Sequence, residues 1–203
     1  MSRVTLIFGT ALLALMAGAL FYAARMPVQI QQPAPAAATP EAAVLETVSY
    51  PEFTLPDMSG EARSFSEWQG KHRLINFWAT WCAPCRREIP LLKSFQDAHA
   101  DDGFLVLGIA VDYPEEVTAY AETAEFNYPV LIGQEDAMRV AESSGIEFIG
   151  MPFTMIVAAD GEYLSAYIGE LHQNHLDSIV EVMKKLDRGA IDKDGARAAL
   201  DQL

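Results

Sequence analysis

Cys82 and Cys85 are the only cysteines in this chain of 203 residues, so its thiol chemistry is confined to one Cys-x-x-Cys pair. The pair lies in Leu74-Ile75-Asn76-Phe77-Trp78-Ala79-Thr80-Trp81-Cys82-Ala83-Pro84-Cys85-Arg86-Arg87-Glu88-Ile89-Pro90. That stretch reads as a buried strand, a turn at Ala79-Thr80-Trp81, and a helix. Two residues between cysteines on the first turn of a helix bring both sulfurs to one end, close enough for a disulfide. The first N–H groups of a helix have no intrahelical partner, and the aligned peptide dipoles favour negative charge there. A Cys82 thiolate is therefore stabilised, and the thiolate is the nucleophile of disulfide exchange. Pro84 suits a first turn, where its missing N–H would be unpaired anyway. The same spacing also serves as half of a zinc site. A purely structural staple is disfavoured, because so short a loop constrains the unfolded chain very little.

The elements that must hold this pair can be read on either side. Phe53 to Asp57 with Gly60 is a short strand and turn, and Ser66 is placed to cap one helical turn. Arg73 to Ala79 is the strand leading to the cysteines. The helix runs from Ala83 to about Ala100 with Pro90 inside it, and Ile89, Leu92, Phe95 and Gln96 recur at helical spacing. Glu88, beside Arg86 and Arg87, reads as a surface or packing residue. Phe104 to Val111 is a continuous apolar run, the pattern of a strand covered on both faces. Asp112 to Val117 opens a helix reaching about Phe126, with Pro114 near its start. A short strand at 128–132, a helix at 137–143, a strand from Pro152 to Val157, a turn at 158–162 and a strand from Tyr163 to Ile168 follow. Gln173 to Leu186 is an amphipathic helix, and Arg188 to Leu203 reads as a charged, alanine-rich tail with a frayed helix.

With Asn-Phe-Trp-Ala-Thr-Trp-Cys-Ala-Pro-Cys at Asn76 to Cys85, the chain resembles the thioredoxin superfamily. Within it, the chain is similar to the membrane-anchored TlpA/ResA-type thiol–disulfide oxidoreductases, over roughly Val48 to Leu186. The resemblance implies an α/β thioredoxin-like fold: a central mixed β-sheet flanked by helices, with an N-terminal hairpin and a strand–helix insert. It implies catalytic roles for Cys82, Cys85, Trp81 and Pro152, with Met151–Pro152 as the cis-proline loop. Trp81, Pro84, Met151 and Phe153 would meet the client, Met151 and Phe153 as an apolar rim. Thioredoxins place an aspartate where Asn76 stands and a lysine in the next core strand, and both are missing here. The acid that TlpA-like inserts carry near the cysteines matches Asp112 best, with Glu115 second; a plain helix cap is the alternative for Asp112.

Outside the motif, 28 acidic residues against 14 basic ones give a net charge of −14. That balance argues against nucleic acid, whose phosphates need clustered Lys and Arg. Val4 to Ala24 carries no charge and is long enough to span a bilayer; a cleaved signal peptide is its rival. Pro27 to Glu46, rich in Pro, Ala and Gln, reads as a semi-extended tether. The expected organisation is a signal-anchor or transmembrane helix at 1–25, a linker at 26–46, a thioredoxin-like domain at 47–187 and a tail at 188–203.

With the apolar run Val4 to Ala24 as anchor, the resemblance implies a single-pass protein of a bacterial inner membrane, its catalytic domain in the periplasm. Its chemistry is exchange through Cys82 and Cys85, with no cofactor beyond that pair. The partners implied are a client protein with a disulfide, such as apocytochrome c or a copper-site protein, and a membrane electron donor of the thiol-reductase type. The neutral Ala-Pro pair between the cysteines favours a reductase over an oxidant. Metal handling is the alternative from another class: copper by the two thiols alone, or zinc with His172 and His175 completing a nominal Cys₂His₂ set. Peroxide reduction is a further rival, but the Pro-x-x-x-Thr-x-x-Cys setting of a peroxidatic cysteine is absent.

Overall fold

The computed structural model describes residues 50–143 and 149–203. The expected anchor, tether and Ile146–Phe148 stretch lie outside them. From Tyr50 the chain makes an antiparallel hairpin, β1 (Thr54–Pro56) and β2 (Ala62–Ser64), then a 3-10 turn at Phe65–Trp68. The N-cap of that turn is Ser64, two residues before the expected Ser66: the Ser64 N–H donates to Glu67 Oε1 at 2.8 Å. Next come β3 (His72–Trp78), α1 (Ala83–His99), β4 (Phe104–Val111), α2 (Pro114–Ala124), β5 (Val130–Gly133) and α3 (Glu135–Glu142). The chain closes with β6 (Phe153–Val157), β7 (Tyr163–Ile168), α4 (Gln173–Asp187) and α5 (Lys193–Leu200).

The main sheet has the order β5-β4-β3-β6-β7, with β3 parallel to β4, β4 parallel to β5, and β6 antiparallel to both β3 and β7. Every residue of β3 is buried, as a central strand covered on both faces requires. Alternate residues feed two cores. Leu74 and Trp78 join α1, α2, α4 and α5 on one face, whereas Ile75 and Phe77 join the 3-10 turn and α3 on the other. Among the described residues no helix is long and apolar enough to cross a membrane.

The C-terminal tail is part of this architecture. Ala196 and Leu200 of α5, four residues apart on one face, are buried against α4 and the sheet. Buried Glu162, in the β6–β7 turn, forms ion pairs with Lys193 and Arg197, and the Ser165 hydroxyl donates to Asp201 at 2.6 Å. The helix expected there as a frayed appendage is thus fixed to the hairpin.

Candidate active site

Strand register decides what meets at the C-terminal end of β3. Trp78 lies opposite Ala110 of β4, Phe77 opposite Phe153 of β6, and Phe153 in turn opposite Ile168 of β7. Four segments therefore end together: the Ala79–Cys82 turn, the Asp112–Tyr113 corner, the Ile149–Pro152 loop and the Gly169–His172 loop.

Cys82 is the N-cap of α1, its sulfur accepting the Cys85 N–H at 3.3 Å, and no acidic side chain occupies the first turn. Cys82 and Cys85 form a disulfide with Cα atoms 5.3 Å apart. Solvent distinguishes them: Cys82 is 6% exposed, Cys85 not at all. The outer sulfur is the one a partner reaches. Trp81, 68% exposed, projects beside it, and Pro84 sits in the first turn, half-buried.

The Met151–Pro152 peptide is cis. The Pro152 carbonyl accepts the Gly169 N–H at 2.9 Å, which ties this loop to the end of β7. Met151 is half-buried and makes no backbone hydrogen bond among the described residues. Phe153 departs from the expected rim. It is 3% exposed, its ring 5.4 Å from that of Phe77, on the face of the sheet away from α1. Strand alternation explains the difference, since a residue following the loop proline in β6 must point opposite to Thr154, which faces α1. Ile149 and Ile168, both exposed, supply apolar surface at this end instead.

Asp112 is buried and fully engaged. Its Oδ2 accepts the Thr80 N–H at 2.9 Å and the Thr80 hydroxyl at 2.6 Å, and its Oδ1 accepts the Tyr113 N–H at 2.9 Å. It clasps the turn before Cys82 to the start of α2. Glu115 is exposed on the first turn of α2.

The carboxyl nearest Cys85 along α1 is that of Glu88, one helical turn on. Glu88 is 1% exposed, and its Oε1 accepts the Asn76 side-chain N–H at 2.8 Å while its Oε2 accepts the Leu171 N–H at 2.7 Å. The Asn76 amide also donates to Thr154 Oγ1 at 2.9 Å. The Glu88 carboxyl and the Asn76 amide together thus join α1, β3, β6 and the β7–α4 loop, one helical turn beyond Cys85. Burial pushes the Glu88 pKa up to about 7, against the opposing pull of the two donors. The sequence signal for this residue was spacing. Cys85, Glu88, Ile89, Leu92, Phe95 and Gln96 form one buried stripe of α1, so Glu88 belongs to the face of its apolar neighbours.

Arg87 is drawn into an ion pair with Glu170 at 2.5 Å. His172 is the N-cap of α4, its N–H donating to His175 Nδ1 at 3.2 Å, and the His175 ring packs 4.5 Å from that of Tyr167. Both rings belong to the cap of α4. Among the described residues no group of three or more His, Cys, Asp or Glu side chains is placed to hold a metal ion.

A profile of the AhpC/TSA family matches residues 48–164. The chain is similar to the thiol-disulfide oxidoreductase ResA of Geobacillus kaustophilus, 28% identical over 147 residues that cover 72% of this chain and 82% of that protein. It is also similar to the thioredoxin-like protein YneN of Bacillus subtilis, 28% identical over 148 residues covering 70% and 82%. Among solved structures, a thiol:disulfide interchange protein of the thioredoxin family from Chlorobium tepidum superposes with a TM-score of 0.61 at 30% identity, covering 66% of this chain and 94% of that one.

Proposed function

The chain belongs to the AhpC/TSA family and is a thiol–disulfide oxidoreductase of the thioredoxin type, and from that premise we propose that it reduces the disulfides of envelope client proteins. The observation that carries the reading is the asymmetry of the pair, an outer Cys82 at a helix start and a sealed Cys85 one helical turn before buried Glu88.

In the dithiol form, the Cys82 thiolate attacks one sulfur of a client disulfide and expels the other as a thiolate. The Cys85 thiol then loses its proton and attacks Cys82, releasing the second client sulfur. The client gains two electrons, and the chain is left with the Cys82–Cys85 disulfide. Glu88, whose pKa near neutrality leaves both protonation states populated, accepts the Cys85 proton. Asp112 holds the Thr80 turn rather than moving protons, since its oxygens are occupied by the Thr80 and Tyr113 donors. Trp81 and Met151 receive the client, Met151 through its open backbone groups in the manner of strand addition.

Val4 to Ala24 would tether the domain to the inner membrane with the disulfide in the periplasm, and a membrane thiol reductase would restore the dithiol. Apocytochrome c and copper-site proteins are the clients this reading favours. The neutral Ala-Pro pair predicts a reducing couple. Equilibration of the full chain with redox buffers should place the potential near the thioredoxin value of about −270 mV; one near the DsbA value of about −120 mV would make the protein an oxidant.

A further inference from the structure

One surface close to the disulfide takes no part in this exchange. A groove of about 490 Å³ runs between α1 and α2, lined among others by Arg86, Ile89, Pro90, Lys93, Tyr120 and Ala124. Its lining mixes polar and apolar surface, and its two cations lie seven residues apart, on one face of α1. In a chain with twice as many acidic as basic residues, both cations are left without a carboxylate partner. Arg63, Arg87, Arg139 and Arg197 pair with acids, whereas Arg86, like Arg73 and Arg188, makes no ion pair among the described residues, and its guanidinium makes no hydrogen bond there either. Lys93 donates at 2.6 Å to the Ala124 carbonyl at the end of α2, which fixes the ammonium at the groove wall without neutralising it. The one carboxylate in the lining, Asp97, accepts a hydrogen bond from Asn127 at 2.8 Å at the far end.

Resting on the exchange reading above, we propose that this groove is a specificity site for an acidic side chain of the client, recognised by Arg86 with Lys93 behind it. The geometry sets the register. Along the axis of α1, Arg86 lies about 6 Å and Lys93 about 16 Å from Cys82. An extended client strand advances about 3.3 Å per residue, so the acid stands two to five residues from the attacked client cysteine. Charge complementarity selects the occupant: a carboxylate meets two unneutralised cations, whereas a basic segment meets repulsion.

The test uses the reduced full chain and two synthetic disulfide peptides that differ only in Glu or Gln at the third position after the attacked cysteine. At low salt, kcat/KM for the Glu peptide should exceed that for the Gln peptide about fivefold, the scale of an exposed ion pair, and the ratio should shrink as salt rises. Arg86→Gln should bring the ratio to about one, while Arg87→Gln, whose partner Glu170 lies outside the groove, should keep it. A wild-type ratio near one overturns the proposal and leaves the exchange reading standing. So does an Arg86→Gln variant that slows both peptides equally, because Arg86 then acts on the thiols. If neither peptide is reduced at all, the exchange reading fails and takes this proposal with it.

Discussion

Asn76 on β3 donates its side-chain N–H to the Glu88 carboxyl on α1 at 2.8 Å, one helical turn beyond Cys85. Thioredoxins place an ionisable aspartate where Asn76 stands, and here the ionisable group sits on the facing helix instead. Because burial raises Glu88 from 4.5 to about 7, the native state binds more protons than the unfolded chain between those values. This contribution to stability is fully present below about pH 4.5 and is lost as pH rises to about 7, on the order of 3 kcal/mol in all. Glu88→Gln should remove that slope from the difference between wild-type and variant unfolding free energies measured from pH 4 to 8. The variant should also lose the step near pH 7 in the rate at which Cys85 resolves a mixed disulfide. Superimposable pH profiles would exclude Glu88 as the proton acceptor.

Asp112 is expected to matter for stability and for the placement of Cys82. Asp112→Ala leaves the half-buried Thr80 donors without their charged acceptor, a cost of about 1–3 kcal/mol. Chemical denaturation should register that loss, with Asp112→Asn losing less because an amide oxygen can still accept from Thr80. A midpoint unchanged in Asp112→Ala would contradict the clasp.

Trp81 separates client binding from folding. At 68% exposure, Trp81→Ala should alter the unfolding free energy by no more than about 0.5 kcal/mol. Loss of an aromatic anchor at the centre of a docking surface should lower kcat/KM for a disulfide protein client at least tenfold. An equal fall in stability and activity would make Trp81 a packing residue.

The C-terminal helix gives a further test. Leu200 is 2% exposed in the core beneath α4, and Leu200→Ala should cost about 2–4 kcal/mol in thermal or denaturant unfolding. A tail that merely frays from the domain would show no such loss.

Much of this arrangement is legible in the amino-acid sequence. The apolar run 104–111 and the strand before Cys82 are long and bounded by turn residues, and both appear within a residue of where they were expected. The cis Met151–Pro152 bond rested on family resemblance, because few X-Pro bonds are cis and no local pattern marks which. Glu88 is hidden by its neighbours: directly after Arg86 and Arg87 it reads as a surface or packing residue, yet it is in phase with Ile89 and Leu92. Phe153 was misplaced for the opposite reason, since proximity to Pro152 in sequence outweighed the two-residue alternation that turns it to the far face. In α5, the four-residue spacing of Ala196 and Leu200 was present, but alanine and charge dilute the apolar pattern by which packed helices are recognised.

The central claim is that Cys82 attacks and Cys85 resolves, and covalent trapping tests it most directly. Full chains carrying Cys82→Ser or Cys85→Ser are each incubated with a disulfide-containing protein client, and mixed disulfides are counted by mass spectrometry after acid quenching. The account predicts that Cys85→Ser accumulates a client adduct on Cys82, while Cys82→Ser, left with only the buried sulfur, accumulates almost none. Equal trapping by both variants, or adducts confined to Cys85, would contradict it.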